Sequence, residues 1–534
     1  MPPSRGALVS GAVLTAAAAA TIAIVVWPEG VGSGPAGESG ARSPAQTSAT
    51  PSPTRSYPLS TPPRTIPAVR EHTAAHGPGW QPAPAAGVVV AHGSGALADE
   101  GRLLAEELKI HYRGEVSARA GDVELALVPG KGAPESYTLD TREGRVRISG
   151  PDQAGVFYGT RTLKQSVRAD GRMPEGEVRD RPDRPQRGLH LDIARKPYTV
   201  AWIEDRLREM ADLKLNQLGL HFSDDQAFRI QSDTHPEVVS PQHLTKAQVR
   251  QILDLAGRLH IQVVPELDSP GHLGAVLKAH PDLQLRNVSG VRSPGSLDIS
   301  DPGAAKLVDD LLVEFSGLFG GRYWHLGADE YLALMARDPA ASYPQLQRAA
   351  QQKYGPKAGI KDLVTGWLND RAAVVRPRGK QPKAWNDGFF RDGVVHADKD
   401  IEVEYWTGKE YGARPPQEYL SEGRRVVNLN DEFLYYVLGQ PNNFVYPTGQ
   451  RIYEQWTPLV LRGTQPVPSR YSGQILGGRF AVWGDLPNAQ TPAQVAQGIR
   501  MPLRATAQKL WDPRKPTLSW NQFRALATRI DKTD

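Results

Sequence analysis

Two adjacent carboxylates, Asp329 and Glu330, close the run YWHLGADE (323–330) and are the groups best placed to do chemistry. Three earlier apolar runs end in similar residues. Asp192 and Arg195 lie at the end of GLHLDIA (188–194), and His221, Asp224, Asp225 and Gln226 at the end of NQLGLHF (216–222). Glu266, Asp268 and His272 follow IQVVPEL (261–267), while later runs contribute Trp385, Trp406, Trp483 and Asp485. Singly, such residues are usually structural: a strand-end histidine is hydrogen-bonded, an aspartate caps a helix, a tryptophan is core. Charges recurring at four successive strand ends are another matter, because charged groups are seldom buried without a role. Carboxylates can act as acid and charge stabiliser, aromatic rings pack on sugar faces, and the chain has no phosphate-binding glycine loop. That combination points to carbohydrate chemistry. His221, Asp224, Glu266, Asp268 and His272 are also types that ligate metals. No helical H-x-x-x-H pair supports such a site, so neither a metal nor a cofactor is expected.

The elements that must position these groups can be read from periodicity. Four further strand candidates are PKAWND (382–387), IEVEYW (401–406), RVVNLN (425–430) and GRFAVWGD (478–485). Helical spacing lies between the runs: Ile203, Leu207, Met210 and Leu213 share a face, as do Leu307, Leu311, Phe315 and Leu318. Thr245 and Gln248 form a capping-box pattern ahead of Val249, Ile252, Leu253, Ala256 and Leu259. Eight strands alternating with helices predict an α/β fold, a (β/α)8 TIM barrel over 185–534, with chemistry at the C-terminal strand ends. A doubly wound open sheet is the competing architecture. The stretch 68–184 mixes short strand-like runs (GVVVAHG, VELALVPG, RVRISG) with helical patterns near 96–108 and 155–166. It predicts a small α+β domain with a sheet of about four strands.

At the same residues the chain resembles glycoside hydrolase family 20, the β-N-acetylhexosaminidases. The matching segments are RGLHLDIARKPY (187–198), LKLNQLGLHFSDDQAFRI (213–230), VPELDSPGH (264–272) and HLGADE (325–330), with VFYGTRTLKQ (156–165) like the end of the family's small domain. The resemblance implies substrate-assisted retaining hydrolysis, in which the 2-acetamido oxygen attacks the anomeric carbon to give an oxazolinium intermediate. Glu330 would be the general acid and then the base, and Asp329 would orient the acetamido group. Arg195 would bind sugar hydroxyls, with Asp224, Asp268 and His272 as the supporting network. Trp367, Trp385 and Trp483 would form the walls, Trp456 an outer wall, and Tyr435 a donor to the acetamido oxygen. Asp329 beside Glu330 should disfavour ionisation of the acid. Neighbours on a regular strand face opposite ways, so both can serve one sugar only if the strand has broken at Gly327-Ala328. The chain departs from the family pattern at Ala328 (usually Gly), Val437 (usually Asp) and Asp485 (usually Glu).

These readings predict an enzyme removing terminal β-linked N-acetylhexosamine from an oligosaccharide or glycoconjugate. One alternative is lacto-N-biosidase-like release of a disaccharide, for which the pocket must be roomier near Val437 and Asp485. Another is a non-catalytic carbohydrate-binding protein, against which the intact Asp329 and Glu330 speak. An enzymic nucleophile drawn from Glu266, Glu402 or Asp485 is a further possibility.

Composition sets the remaining bounds. The 534 residues carry 63 basic and 58 acidic side chains, interspersed and without a Lys/Arg block, so nucleic acid is not an expected partner. The absence of cysteine removes disulfides, thiol nucleophiles and lipid attachment at Cys. Arg5 precedes an apolar stretch from Ala7 to Trp27 that no charge interrupts. Residues 1–27 therefore read as an export signal or a retained membrane anchor, which places the protein outside the cell or on the membrane's outer face. Residues 28–67, rich in Pro, Ser, Thr, Gly and Ala, read as a solvated spacer.

Overall fold

The computed structural model describes residues 56–409 and 413–532. The apolar N-terminal stretch and most of the expected spacer lie outside the described residues. Among the described residues no helix is long and apolar enough to cross a membrane. The spacer was expected to run to residue 67, but its end is packed. Ile66 is buried, its N–H donates to Gln165 Oε1 (2.7 Å), and its carbonyl accepts from Gln165 Nε2 (2.9 Å). Ser60 and Arg64 add bonds to Glu175 and Asp170, and bulk composition registers none of these anchors.

The small domain is a seven-stranded sheet rather than one of about four strands. Its strands are β1 (Glu71–Ala74), β2 (Gly87–Val90), β3 (His111–Glu115), β4 (Val123–Leu127), β5 (Tyr137–Arg142), β6 (Arg145–Gly150) and β7 (Gly176–Asp180), in the order β1-β7-β5-β6-β4-β2-β3. The expected runs became β2, β4 and β6. The others are half-exposed and polar, such as HYRGE in β3, and carry no continuous apolar signal. The helices Ala98–Leu108 and Gln153–Asp170 supply apolar faces, including Leu104, Leu108, Val156 and Leu163.

Eight parallel strands form the second domain: β8 (Gln186–Asp192), β9 (Gln217–His221), β10 (Gln262–Glu266), β13 (Tyr323–His325), β14 (Gln381–Trp385), β15 (Glu402–Tyr405), β16 (Val426–Asn428) and β18 (Ile475–Trp483). The short pair β11 (Gln284–Arg286) and β12 (Arg292–Leu297) forms an excursion, and β17 (Tyr435–Val437) flanks β18. β18 pairs with both β16 and β8, for example Val427↔Gly477 and Arg479↔Gly188, which closes the barrel and rules out an open sheet. The helix Lys246–Arg258 begins with the expected capping box at Thr245 and Gln248 and buries Val249, Ile252 and Ala256. The helix Val200–Asp212 is capped by Thr199 and buries Ile203, Leu207 and Met210.

Barrels of this type usually fill their interior with branched apolar side chains. This one is ionic along much of its axis. Lys383 Nζ lies 2.8 Å from Glu402 and 3.1 Å from Glu404, and Arg479 Nη1 donates to Glu404 Oε2 (2.9 Å). Above them, Glu266 Oε2 lies 3.0 Å from His190 Nε2 and 3.2 Å from His221 Nδ1. Gly219 leaves the space that the His190 ring occupies, where a Cβ would collide with the imidazole.

Candidate active site

The strand carrying Asp329 and Glu330 breaks as the chemistry requires. β13 ends at His325, and Gly327, Ala328 and Glu330 then take φ of 70°, 80° and 46°. Positive φ at alanine or glutamate is uncommon and persists only where surrounding bonds hold it. Here the Gly327 N–H donates to His325 Nδ1 (3.2 Å), Ala328 N–H to Asp268 Oδ1 (3.0 Å) and Glu330 N–H to Asp387 Oδ2 (3.2 Å). The break sends the two carboxylates into different surroundings.

Asp329 faces Asp268. Burial raises its carboxyl well above the ordinary range, and the neighbouring Asp268 adds to that. Burial likewise raises Asp268, to about 6, against the opposing pull of His272. Glu330 instead turns to His272, whose Nε2 lies 3.5 Å from Oε2, and its side chain is half-exposed. That contact lowers Glu330 below its ordinary value. This departs from the expectation that Asp329 would hold Glu330 protonated, because the turn leaves the tightly held proton on Asp329 and sets His272 against Glu330.

A connected network stands behind the pair. Burial would strip His272 of its proton, but Asp329, Asp224 and Glu330 outweigh it and hold the ring well above its ordinary value. Asp224 lies 3.4 Å from His272 Nδ1, 2.7 Å from Arg195 Nη2 and 2.7 Å from His221 Nε2. Asp192 accepts from the Arg195 backbone N–H (2.9 Å) and from its guanidinium (3.1 Å).

These groups open into a pocket of about 140 Å³. It is lined by Arg195, His272, Asp329, Glu330, Trp385, Trp406, Tyr435, Val437, Trp483 and Asp485 from the sequence reading, with Asn442 and Phe444. Tyr435 and Val437 alternate on β17 and so face the same side, paired with Ala481 and Trp483. Trp406 stacks on Tyr435 at 5.7 Å, and Trp385 meets Trp483 at 5.9 Å.

Two expected walls do not line this pocket. Trp456 is fully buried in the main core, because it closes the helix Gly449–Gln455 on its inner side. Trp367, inside the helix Ile360–Val375, donates its indole N–H to Ser269 Oγ (3.0 Å), next to Asp268. The outer wall is Phe444, which stacks on Tyr435 at 6.3 Å. Sequence reasoning missed Phe444, Asn442 and Asp387. Asp387 ends a strand run and could have been found by the rule that found the others. Asn442 and Phe444 sit on a loop with no motif beyond its asparagines. Of the expected metal-ligating types, His190, His221 and Glu266 converge closely enough to hold a cation, as do Asp268, His272 and Asp329. In both sets the imidazoles already face carboxylates, so a cation would have to displace protons that the network retains.

A closed parallel barrel with a carboxylate pair at its C-terminal mouth, enclosed by aromatic side chains, is the architecture of a glycoside hydrolase. Residues 185–514 match the family model for the glycosyl hydrolase family 20 catalytic domain, and residues 62–181 match that for domain 2 of the same family. The chain belongs to glycosyl hydrolase family 20. It is 31% identical over 482 residues to a lacto-N-biosidase of Bifidobacterium bifidum, covering 88% of this chain but only 42% of that protein. It is 26% identical over 412 residues to the beta-hexosaminidase beta subunit of Rattus norvegicus, covering 75% and 73%. Among solved structures, the fold matches an exo beta-N-acetylglucosaminidase of Vibrio harveyi (TM-score 0.72, 19% identity, 90% of this chain and 79% of the other). It also matches a Streptomyces plicatus beta-hexosaminidase (TM-score 0.70, 23% identity, 88% and 94%).

Proposed function

We propose that the enzyme removes terminal β-linked N-acetylhexosamine by substrate-assisted, retaining hydrolysis. The observation that carries this reading is the divergence of two neighbouring carboxylates inside one aromatic pocket. Asp329, buried against Asp268, is placed to accept the acetamido N–H and orient its oxygen toward the anomeric carbon. As positive charge develops on the acetamido nitrogen it favours the carboxylate of Asp329, and Asp268 can keep the proton the two share. Glu330 reaches the open side, where the leaving oxygen departs. A bound sugar ring would cover its exposed half and remove the solvation that favours its charge, bringing it toward the protonated form an acid needs. Glu266 and Glu402, the enclosed candidates for an enzymic nucleophile, are fully buried in the barrel interior and do not line the pocket. Asp485 does line it, but burial raises its carboxyl despite the opposing pull of Arg195, which disfavours the carboxylate a nucleophile needs.

Lacto-N-biose release is the second reading. The Bifidobacterium bifidum relative supports it, as do the short side chains of Val437 and Asp485 on the pocket wall. Release of p-nitrophenol from its β-N-acetylglucosaminide, β-glucoside and β-lacto-N-bioside, with wild type and Glu330→Gln, tests both readings. Activity on the N-acetylglucosaminide alone, reduced about 100-fold or more in the variant, supports the first. Turnover of only the lacto-N-bioside selects the second. Equal activity on the glucoside would overturn acetamido participation. We also propose export, on the strength of the uncharged apolar stretch from Ala7 to Trp27. Enzyme retained wholly inside expressing cells would contradict that.

A further inference from the structure

Glu266 plays no part in the reaction scheme above, yet it occupies the junction between the ionic barrel interior and the pocket. It is fully buried at the end of β10, and four barrel strands besides its own present groups to it. Its Oε1 accepts the Trp385 indole N–H from β14 at 2.7 Å and lies 3.4 Å from His325 Nδ1 on β13. Its Oε2 faces His190 from β8 at 3.0 Å and His221 from β9 at 3.2 Å. The opposite edge of His221, Nε2, is bonded to Asp224 at 2.7 Å.

We propose that Glu266 is a positioning residue of the active site, one carboxylate that aligns the Trp385 wall and, through His221, the Asp224 that orients Arg195 and His272. Each link is geometric. Glu266 to His221, His221 to Asp224 and Asp224 to His272 follow in sequence, and His272 ends the chain 3.5 Å from Glu330. The same side chain holds a pocket wall and, through His221, the Asp224–Arg195 ion pair, so a shift in Glu266 moves both.

The charge state of the chain follows from the neighbours. His221 faces Glu266 from β10 and Asp224 from its own loop, with His190 and the Trp483 ring as its other close partners. Burial alone would make it neutral, but the two carboxylates outweigh burial and hold it well above its ordinary value. An imidazolium held in this way gives Asp224 a charge-assisted bond, stronger than one from neutral imidazole. Glutamine at position 266 keeps the acceptor for Trp385 and supplies a donor toward His190, but removes the charge that keeps His221 protonated.

The test is the titration of His221 in isotope-labelled protein, followed by histidine ring resonances and assigned by the signal missing from His221→Gln. In the wild type His221 should remain protonated well above the ordinary histidine range of about 6.5. A wild-type titration near that ordinary value overturns the proposal, whether or not any variant folds. In Glu266→Gln, His221 should titrate in the neutral range, and kcat should fall at least tenfold as pH rises through that titration while the wild type stays flat. A variant whose pH profile superposes on the wild type, even at lower kcat, also overturns it. The inference rests on the active-site reading above, but the titration needs no substrate. Failure of every glycoside assay would sink that reading and leave this measurement standing.

Discussion

The Asp268–Asp329 pair allows a prediction whose size follows from the structure. Asp268→Asn keeps the shape of the side chain: Oδ1 can still accept from Ala328 N–H at 3.0 Å, and the amide can donate to Asp329. It removes the proton that native Asp268 holds with a value of about 6, against an ordinary 3.8. Between those values the native wild type binds more protons than the unfolded chain, so this contribution to stability is present below pH ~4 and is lost as pH rises through ~6. At 1.36 kcal/mol per unit, the window of about two units is worth roughly 3 kcal/mol. Unfolding entropy of about 2.1 cal/mol/K per residue gives a chain of this length roughly 1 kcal/mol/K, so the expected effect is ~3 °C. Asp329 loses one of its raising causes in the variant, which acts in the same direction. Melting temperatures of wild type and variant are compared near pH 4 and near pH 7.5. Relative to the variant, the wild type should be favoured at acid pH by about 3 °C more than at neutral pH. The same offset at both values would refute the shared-proton argument. kcat should also fall, by about 10–100-fold, because Asn cannot retain the proton when Asp329 ionises.

Gly388→Ala places a Cβ 2.6 Å from the Ala328 carbonyl oxygen and 2.8 Å from its Cβ, so it must push the loop carrying both carboxylates. Steady-state kinetics should register a kcat loss of about 100-fold, with a stability cost of about 1–3 kcal/mol. Arg479→Met leaves Glu404 without its guanidinium in the barrel interior and should cost about 3–5 kcal/mol, read as a lowered denaturant midpoint. Unchanged stability would mean that Lys383 alone neutralises Glu404. Trp385→Phe removes the indole donor to Glu266 Oε1 and should cost about 1–3 kcal/mol, with KM rising as the wall loosens.

Much of the barrel was legible because strands buried on both faces read as near-continuous apolar runs. All eight runs became strands within a few residues, and YWHLGADE split where its glycine allowed. The small domain was harder to read, because β1, β3, β5 and β7 are half-exposed and their polar residues hide the alternation. At the site, charged strand-end residues could be placed because barrel topology fixes the end at which they emerge. Tryptophans could not, since the letter carries no direction: Trp385 and Trp483 line the pocket, while Trp456 packs in the core and Trp367 packs there with its indole bonded to Ser269. The opposite perturbations of Asp329 and Glu330 depended on dihedral angles at Ala328 and Glu330 that no spacing rule supplies.

The closing strand has a consequence for the order in which the molecule can be made. β18 seals the barrel against β8, whose residues precede it by nearly three hundred positions, and it alone delivers Arg479 to Glu404. On a ribosome, the emerging chain holds Lys383, Glu402 and Glu404 before that guanidinium exists. The earlier strands then form an incomplete sheet with an open seam and an unmatched acidic charge. Closure of the barrel must wait for β18, so its earlier strands stay pliable while they are being made and the barrel turns rigid only once β18 has emerged.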